Sequence, residues 1–252
     1  MPLFVKRGKD SLYDDSFFEN NRRNALAAAR VIVPILLEMV RPTSVVDVGC
    51  GSGAWLRVFK ENGVHVICGL DGTYVDPSKL LIDKASFTPI DLGDGLRIPD
   101  HYDLAVCLEV AEHLPESSID RLAKELTAAS PMVLFSAAIP GQGGTGHVSE
   151  RWPGYWRDLF ARRGYRMLDP IRPRIRDDNR VKWWYRQNIV LFASEDVIRS
   201  SPALQAEANR PAEDLEWVHI DLVRNPRFLI RTIRDVMWQR LRAALRGQRQ
   251  TR

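Results

Sequence analysis

Glu109, Glu112 and His113 stand within five residues of one another, and a second imidazole, His147, ends the loop Pro140-Gly141-Gln142-Gly143-Gly144-Thr145-Gly146-His147. If Glu109 opens the first turn of a helix, positions i, i+3 and i+4 place the three side chains on one face. The glycine-rich loop is flexible enough to bring His147 over them. Two carboxylates and two imidazoles can bind a divalent cation and leave positions open for substrate oxygens. Mixed nitrogen and oxygen ligation suits manganese, iron or zinc as well as magnesium. The same residues admit a plainer reading, in which His113 packs against a sheet edge and a glutamate caps a helix. His147 is then the general base by itself, since a neutral imidazole titrates near working pH. Glu150 either holds His147 in place or forms a surface pair with Arg151.

A second constellation lies earlier, in Val45-Val46-Asp47-Val48-Gly49-Cys50-Gly51-Ser52-Gly53. A short β-branched run ends in a tight glycine turn that leads into a helix near Ala54-Trp55-Leu56. A Cβ on those glycines would hold the backbone away from a ligand lying across the turn. Asp47 beside the turn is a poor neighbour for a dianionic pyrophosphate and a good one for an ammonium or a sulfonium. The spacing G-x-G-x-G also differs from the G-x-G-x-x-G of nicotinamide enzymes. Asp71 closes a second apolar run, His65 to Leu70, at a position suited to a carboxylate that accepts from a ribose diol.

Both constellations need a scaffold that delivers strand ends to one edge. The turn run reads as a first strand, His65 to Leu70 as a second, Phe87 to Leu92 as a third, Tyr102 to Leu108 as a fourth and Met132 to Ala137 as a fifth. Helices are predicted over residues 11–40, with Pro34 forcing a kink or break, and over Ser117–Ala129 and Trp156–Arg163, the last stopped by Gly164. This alternation is that of a doubly wound α/β sheet. The Glu109–His113 segment then lies at the carboxyl ends of the strands, where ligands bind in open sheets. Three segments follow: a helical cap over 1–40, an α/β domain over 41–196, and 197–252, in which Ser200 to Glu213 reads as a polar, proline-punctuated linker.

The 252 residues suffice for one sizeable core, and 45% hydrophobic with 27% charged residues is ordinary for a globular protein. Cys50, Cys68 and Cys107 form no CxxC pair and read as small buried hydrophobes in a reducing compartment. The amino terminus lacks a signal-peptide pattern and no apolar run is long enough to cross a bilayer, so the expected location is the cytoplasm. The net charge of +4 is concentrated in the tail, where nine arginines between Arg224 and Arg252 face Asp235 alone. Leu229, Ile230, Ile233, Val236, Met237, Leu241 and Leu245 give that tail one apolar helical face. It suits docking onto the body or a second subunit as a homodimer, peripheral contact with an anionic membrane, or a grip on nucleic-acid phosphate.

The acidic glycine turn with Asp71 resembles the first motifs of class I S-adenosylmethionine-dependent methyltransferases. The resemblance implies a Rossmann-like seven-stranded sheet with an antiparallel last strand and helices on both faces. The closing hairpin would pair Tyr165–Leu168 with Trp183–Ala193. It also implies that Asp47, Gly49, Cys50, Gly51, Gly53, Asp71 and Leu108 hold S-adenosylmethionine. Asp91 would accept from the adenine amino group and the Leu92 backbone would meet the ring, unless Asp91 simply caps its own turn. Tyr13 and Phe17 would cover the cofactor or pack plainly.

Glu109, Glu112, His113 and His147 resemble the E-x-x-E-H plus histidine site of metal-dependent 2′-O-methyltransferases acting on small-RNA 3′ ends. The first three also match the E-x-x-E-H of ubiquinone-pathway O-methyltransferases. His147 to Phe160 is similar to a GxxHxNEQWPxYW segment of bacterial methyltransferases that tailor glycans and natural products, with Ser149 and Arg151 replacing its Asn and Gln. That segment puts Trp152, Tyr155 and Trp156 forward as stacking faces for a sugar or a base, or as anchors of their helix. The implied activity is O-methylation of a sugar hydroxyl in a glycan or glycosylated metabolite, with His147, Glu150 and His113 as catalytic groups, with or without a divalent cation such as magnesium or manganese. RNA ribose or a catechol-type small molecule is the alternative acceptor. A cofactor-binding scaffold without activity is the non-enzymatic one.

Overall fold

The computed structural model describes residues 15–210, 217–224, 226 and 228–230. Tyr13 lies outside them, as does the side chain of Phe17, and so does most of the arginine-rich tail.

Five short β-branched or fully apolar runs form parallel or central strands: β1 (Ser44–Val48), β2 (Val66–Asp71), β3 (Phe87–Pro89), β4 (Leu104–Leu108) and β5 (Met132–Ser136). With β6 (Tyr165–Leu168) and β7 (Val190–Ser194) they make one seven-stranded sheet of order β3-β2-β1-β4-β5-β7-β6. β7 is antiparallel to both β5 and β6, as expected for the closing hairpin. Every residue of β4 and β5 is buried, the pattern of strands covered on both faces. Alternation within β1 separates the two cores. Val45 faces the side packed by α1 (Asp15–Leu37) and α2 (Ala54–Glu61). Val46 and Val48 face the side packed by α3 (Glu116–Ala129) and α4 (Pro153–Ala161). Asp47 shares the α1 and α2 face with Val45, so a carboxylate enters an otherwise apolar row.

Several elements differ from expectation. α1 runs through Pro34 without a break, and Ala28, Ala29, Ile32, Val33 and Leu36 are fully buried, so the amino-terminal helix is part of the core. Residues Trp183–Asn188, predicted as strand, form α6, with α5 (Arg172–Ile175) before it, and β7 begins only at Val190. The described part of the predicted linker, residues 200–210, is mostly helical. α7 (Glu195–Ser200) and α8 (Pro202–Ala208) follow β7 directly, Ser201 caps α8 by accepting from the Leu204 N–H, and Leu204 is fully buried.

The described start of the tail docks on the body. Leu222, in α9 (Ile220–Val223), and Phe228 are buried against Ile139. Trp217 lies under the guanidinium groups of Arg172 and Arg176, at 5.2 and 5.3 Å. Among the described residues no helix is long and apolar enough to cross a membrane.

Candidate active site

The glycine turn and Asp71 are locked together before any ligand is considered. Gly49 and Cys50 donate backbone N–H groups to the Leu70 carbonyl, at 2.7 and 3.3 Å, which draws the end of β2 against the turn. The Gly51 N–H then donates to Asp71 Oδ2 at 2.6 Å. Gly51 has φ +54, where side chains are rare, and no atom lies within 4 Å of the Cβ it lacks. The space over Gly51 is therefore open backbone surface, suited to a flat or extended ligand. Cys50 turns its thiol away, against Gly69, so only its backbone faces that space. Leu108 is buried at the end of β4, and Val110 packs directly over the Cα of Gly49.

Asp47 is buried and its Oδ2 has no hydrogen-bond partner. Burial, then the charge of Asp71, pushes its carboxyl well above the usual range. A buried carboxylate oxygen without a partner costs about 1–3 kcal/mol, a cost that a cationic ligand group would remove. Asp91 sits at the far end of the same edge. Its Oδ1 accepts from Gly93 N–H at 2.8 Å and Asp94 N–H at 3.4 Å, so it caps its own turn, with Leu92 half-buried behind it.

The acidic and histidine cluster is assembled differently from expectation. No helix starts at Glu109. Its backbone is left-handed, φ 56, and a single 3₁₀ turn follows at Ala111–His113. Leu114 precedes a proline and is extended, so the helical conformation cannot continue, and α3 starts at Glu116. Glu109 is the one non-glycine residue with positive φ among those described, a conformation that costs about 1 kcal/mol or more. It is held there by two donors: Asn188 Nδ2 reaches Oε1 at 3.1 Å and Gln142 Nε2 reaches Oε2 at 3.4 Å.

The structure brings Glu112, His113 and His147 together, each offering a ligand atom within 4.8 Å of the others. Glu109 lies beside Glu112 but outside that triad. Glu112 is 0% exposed. Neither of its oxygens makes a hydrogen bond of good geometry, although the N–H groups of Ala138 and Glu112 itself lean towards them. Burial, then the Glu109 charge, drives its carboxyl well above the usual range. His113 is pushed down to about 4 by burial, then by His147, so it stays neutral at working pH. The two imidazole rings meet edge to face, 4.9 Å between centroids. Carboxylate oxygens short of donors, facing two imidazoles, form the donor set that a divalent cation satisfies.

Glu150 anchors the loop that carries His147. Its oxygens accept from Gly141 N–H at 2.9 Å and Gly143 N–H at 2.8 Å, and Oε1 lies 3.1 Å from His147 Nδ1. Arg151 pairs instead with Glu116, at 2.7 Å. Of the two roles open to Glu150 in the sequence, the geometry has it holding His147. With Nδ1 donating to Glu150, the other ring nitrogen keeps its lone pair.

The aromatic residues divide. Trp152 and Tyr155 are 44% and 36% exposed at the start of α4. Trp156, expected as a third stacking face, is 4% exposed and packs on Phe135 at 4.9 Å, so it anchors α4 to the sheet. Trp156→Ala is expected to cost about 3–5 kcal/mol of folding stability, measured by urea denaturation, whereas Trp152→Ala should leave the midpoint nearly unchanged. Three residues at the site carried no sequence signal as site residues: Asn188, read as strand, Gln142, hidden in the glycine-rich loop, and Tyr74, whose hydroxyl meets Asp71.

Residues 18–187 match the family model described as a methyltransferase domain. The chain belongs to that family. The ubiquinone biosynthesis O-methyltransferase of Yersinia pestis strain Pestoides F is 32% identical over 101 residues, 36% of this chain and 41% of that protein. The chain thus spans about two fifths of the length of the curated relatives it matches. The methyltransferase domain of bacterial CtHen1-C has a TM-score of 0.50 at 20% identity, covering 68% of this chain and 99% of that one. Magnesium protoporphyrin IX methyltransferase from Synechocystis PCC 6803, solved with bound SAM, has a TM-score of 0.50 at 14% identity, covering 77% and 88%. At these identities the solved structures speak for the fold, which is that of class I S-adenosylmethionine-dependent methyltransferases.

Proposed function

We propose that this methyltransferase moves the methyl group of S-adenosylmethionine to a hydroxyl of a vicinal diol, on a sugar of a glycan or glycosylated metabolite, beside a divalent cation held by Glu112, His113 and His147. The observation that carries the reading is Glu112, a fully buried carboxylate with no well-formed hydrogen bond, facing two imidazoles. Asp47 fits the ammonium or sulfonium of the cofactor, Gly51 its close approach and Asp71 its ribose diol, with Asp91 and Leu92 at the adenine end. The cofactor, when bound, supplies a methyl carbon on a sulfonium that is already a good leaving group. The cation, when bound, supplies charge that lowers the pKa of the acceptor hydroxyl.

The chain's own task is alignment and proton removal. Glu150 fixes the His147 ring through Nδ1, which leaves the other ring nitrogen to hold the cation when one is bound or, without a cation, to take the acceptor proton. Burial keeps His113 neutral, so it offers a lone pair and no charge that would repel a cation. Gln142 and Asn188 hold the Glu109 carboxylate, whose charge acts on the neighbouring Glu112. Trp152 and Tyr155 offer exposed flat faces next to the His147 loop for the acceptor ring. A catechol-type acceptor is the second reading, favoured by the likeness to a ubiquinone biosynthesis O-methyltransferase, and it uses the same diol chemistry.

The test is transfer from labelled S-adenosylmethionine to a panel of sugars, nucleotides and catechols, with and without chelator. Methylation of diols that chelation abolishes is expected, and His147→Ala should cost roughly 10²–10⁴-fold in rate. Full activity in chelator with Glu112→Ala would remove the cation from the proposal, and preference for nucleotides would replace the acceptor class.

A further inference from the structure

Asp71 is the carboxylate proposed above to receive the ribose diol, and the inference here rests on that reading. It is buried, and its two oxygens already have three donors. The Gly51 N–H reaches Oδ2 at 2.6 Å, the Gly72 N–H reaches Oδ1 at 2.6 Å, and the Tyr74 hydroxyl donates to Oδ1. Two of these donors are backbone groups fixed by the turn. The third is a side chain that can leave.

Tyr74 reaches Asp71 by folding back over a glycine. A Cβ on Gly72 would stand 2.1 Å from Cε1 of the Tyr74 ring and 2.5 Å from Cδ1, so only glycine at 72 lets the ring lie there. The ring is 42% exposed. Tyr74 follows Asp71 by three residues in the loop after β2, ahead of the 3₁₀ turn Pro77–Lys79, and leaves by a local change of that loop. Burial raises the Asp71 carboxyl, and the Tyr74 hydroxyl with the Gly72 and Gly51 N–H groups draws it back. Without that hydroxyl one buried oxygen loses a donor until another hydroxyl arrives.

We propose that Tyr74 is a specificity and gating residue of the cofactor site. Its hydroxyl occupies on Asp71 the place of a ribose hydroxyl, and a nucleoside binds by exchanging its own hydroxyl for that of Tyr74. The exchange makes binding weaker than the contacts with the nucleoside alone would give, since one hydrogen bond to a carboxylate is broken for each one made. It also makes the site selective. A ligand lacking that hydroxyl leaves Tyr74 on Asp71 and makes no bond of its own there, so it gains nothing from the carboxylate.

The experiment compares the full chain with Tyr74→Phe, which keeps the ring and removes the hydroxyl. S-adenosylhomocysteine and its 2′-deoxy analogue are titrated by calorimetry, and kcat and KM for S-adenosylmethionine are measured beside them. The variant is expected to bind S-adenosylhomocysteine about three- to tenfold more tightly, in line with relief from breaking one hydrogen bond, and to leave the affinity of the 2′-deoxy analogue unchanged. KM for the cofactor should fall with kcat unchanged, a split that a loss of folding stability would not produce. If both proteins bind equally, or if the variant binds more weakly, Tyr74 is not displaced and the inference fails. If neither protein binds S-adenosylhomocysteine, the cofactor reading of Asp71 fails instead, and the gating inference with it.

Discussion

Asp47→Asn is expected to make the ligand-free protein more stable while depriving it of its cofactor. In the wild-type chain the Asp47 carboxyl is raised by burial first and by Asp71 second. A group whose folded pKa exceeds its unfolded value contributes its full stability below the unfolded value, about 3.9 for aspartate, and loses it as pH rises through the folded one. At neutral pH the unfolded chain is fully ionised while the fold resists ionisation, so Asp47 is a net cost there. Asparagine removes the ionisable group and with it the cost. Thermal melts should therefore show the variant above wild type by about 1–3 kcal/mol equivalent at pH 7, with the gap closing below pH 4. Cofactor binding should move the other way. Removing one partner of a buried charge pair costs about 2 kcal/mol or more, roughly thirtyfold in Kd. Wild-type affinity should also rise with pH as Asp47 gives up its proton, and the variant should lose that slope. A variant that binds as tightly as wild type would show that the carboxylate faces no cation.

Glu112→Gln should behave in the same way towards a metal. The fully buried carboxylate has no well-formed hydrogen bond and lies against Glu109, so its neutral isostere is expected to raise the melting temperature of metal-free protein. Addition of manganese at a hundred times its Kd should stabilise wild type by about 2.7 kcal/mol, or roughly 5–10 °C for a domain of this size. The glutamine variant should gain little. Melting curves of both proteins, with chelator and with magnesium or manganese, read this directly. Equal responses in the two proteins would mean that any ion binds elsewhere.

The parts of the molecule legible in the sequence are those where local pattern and tertiary demand agree. β1 and its glycine turn were readable because a β-branched run ends in residues that only a close backbone approach requires, and Asp71 followed from the end of the next apolar run. Trp183–Asn188 was misread because tryptophan and tyrosine next to a true strand look like strand. The segment is in fact a short helix, with Tyr185 edge-on to Trp55 at 5.6 Å and Gln187 donating to the Trp217 carbonyl. Pro202 and the polar residues around it suggested a linker, yet proline in the first turn after Ser201 is a helix start, and one buried Leu204 suffices to dock it.

At the site, residue identities outran conformation. Glu112, His113 and His147 converge as their types suggested, but through a 3₁₀ turn and a left-handed Glu109, because Pro115 forbids the helix that the spacing invites. Glu150 was readable as a partner of His147, and only the fold decides between that role and Arg151. Asn188, at the end of α6, and Gln142, in the glycine-rich loop, come from distant parts of the chain to hold Glu109, and no spacing rule joins positions 142 and 188. Tyr74 reaches back across Gly72, a contact visible only once the loop has folded.

Calorimetric titration of the full chain with S-adenosylhomocysteine bears most directly on the account. A saturable heat at one ligand per chain is expected, lost in Asp71→Ala, which removes the carboxylate bonded to Gly51. No heat with wild type, or the same heat with Asp71→Ala, would contradict it.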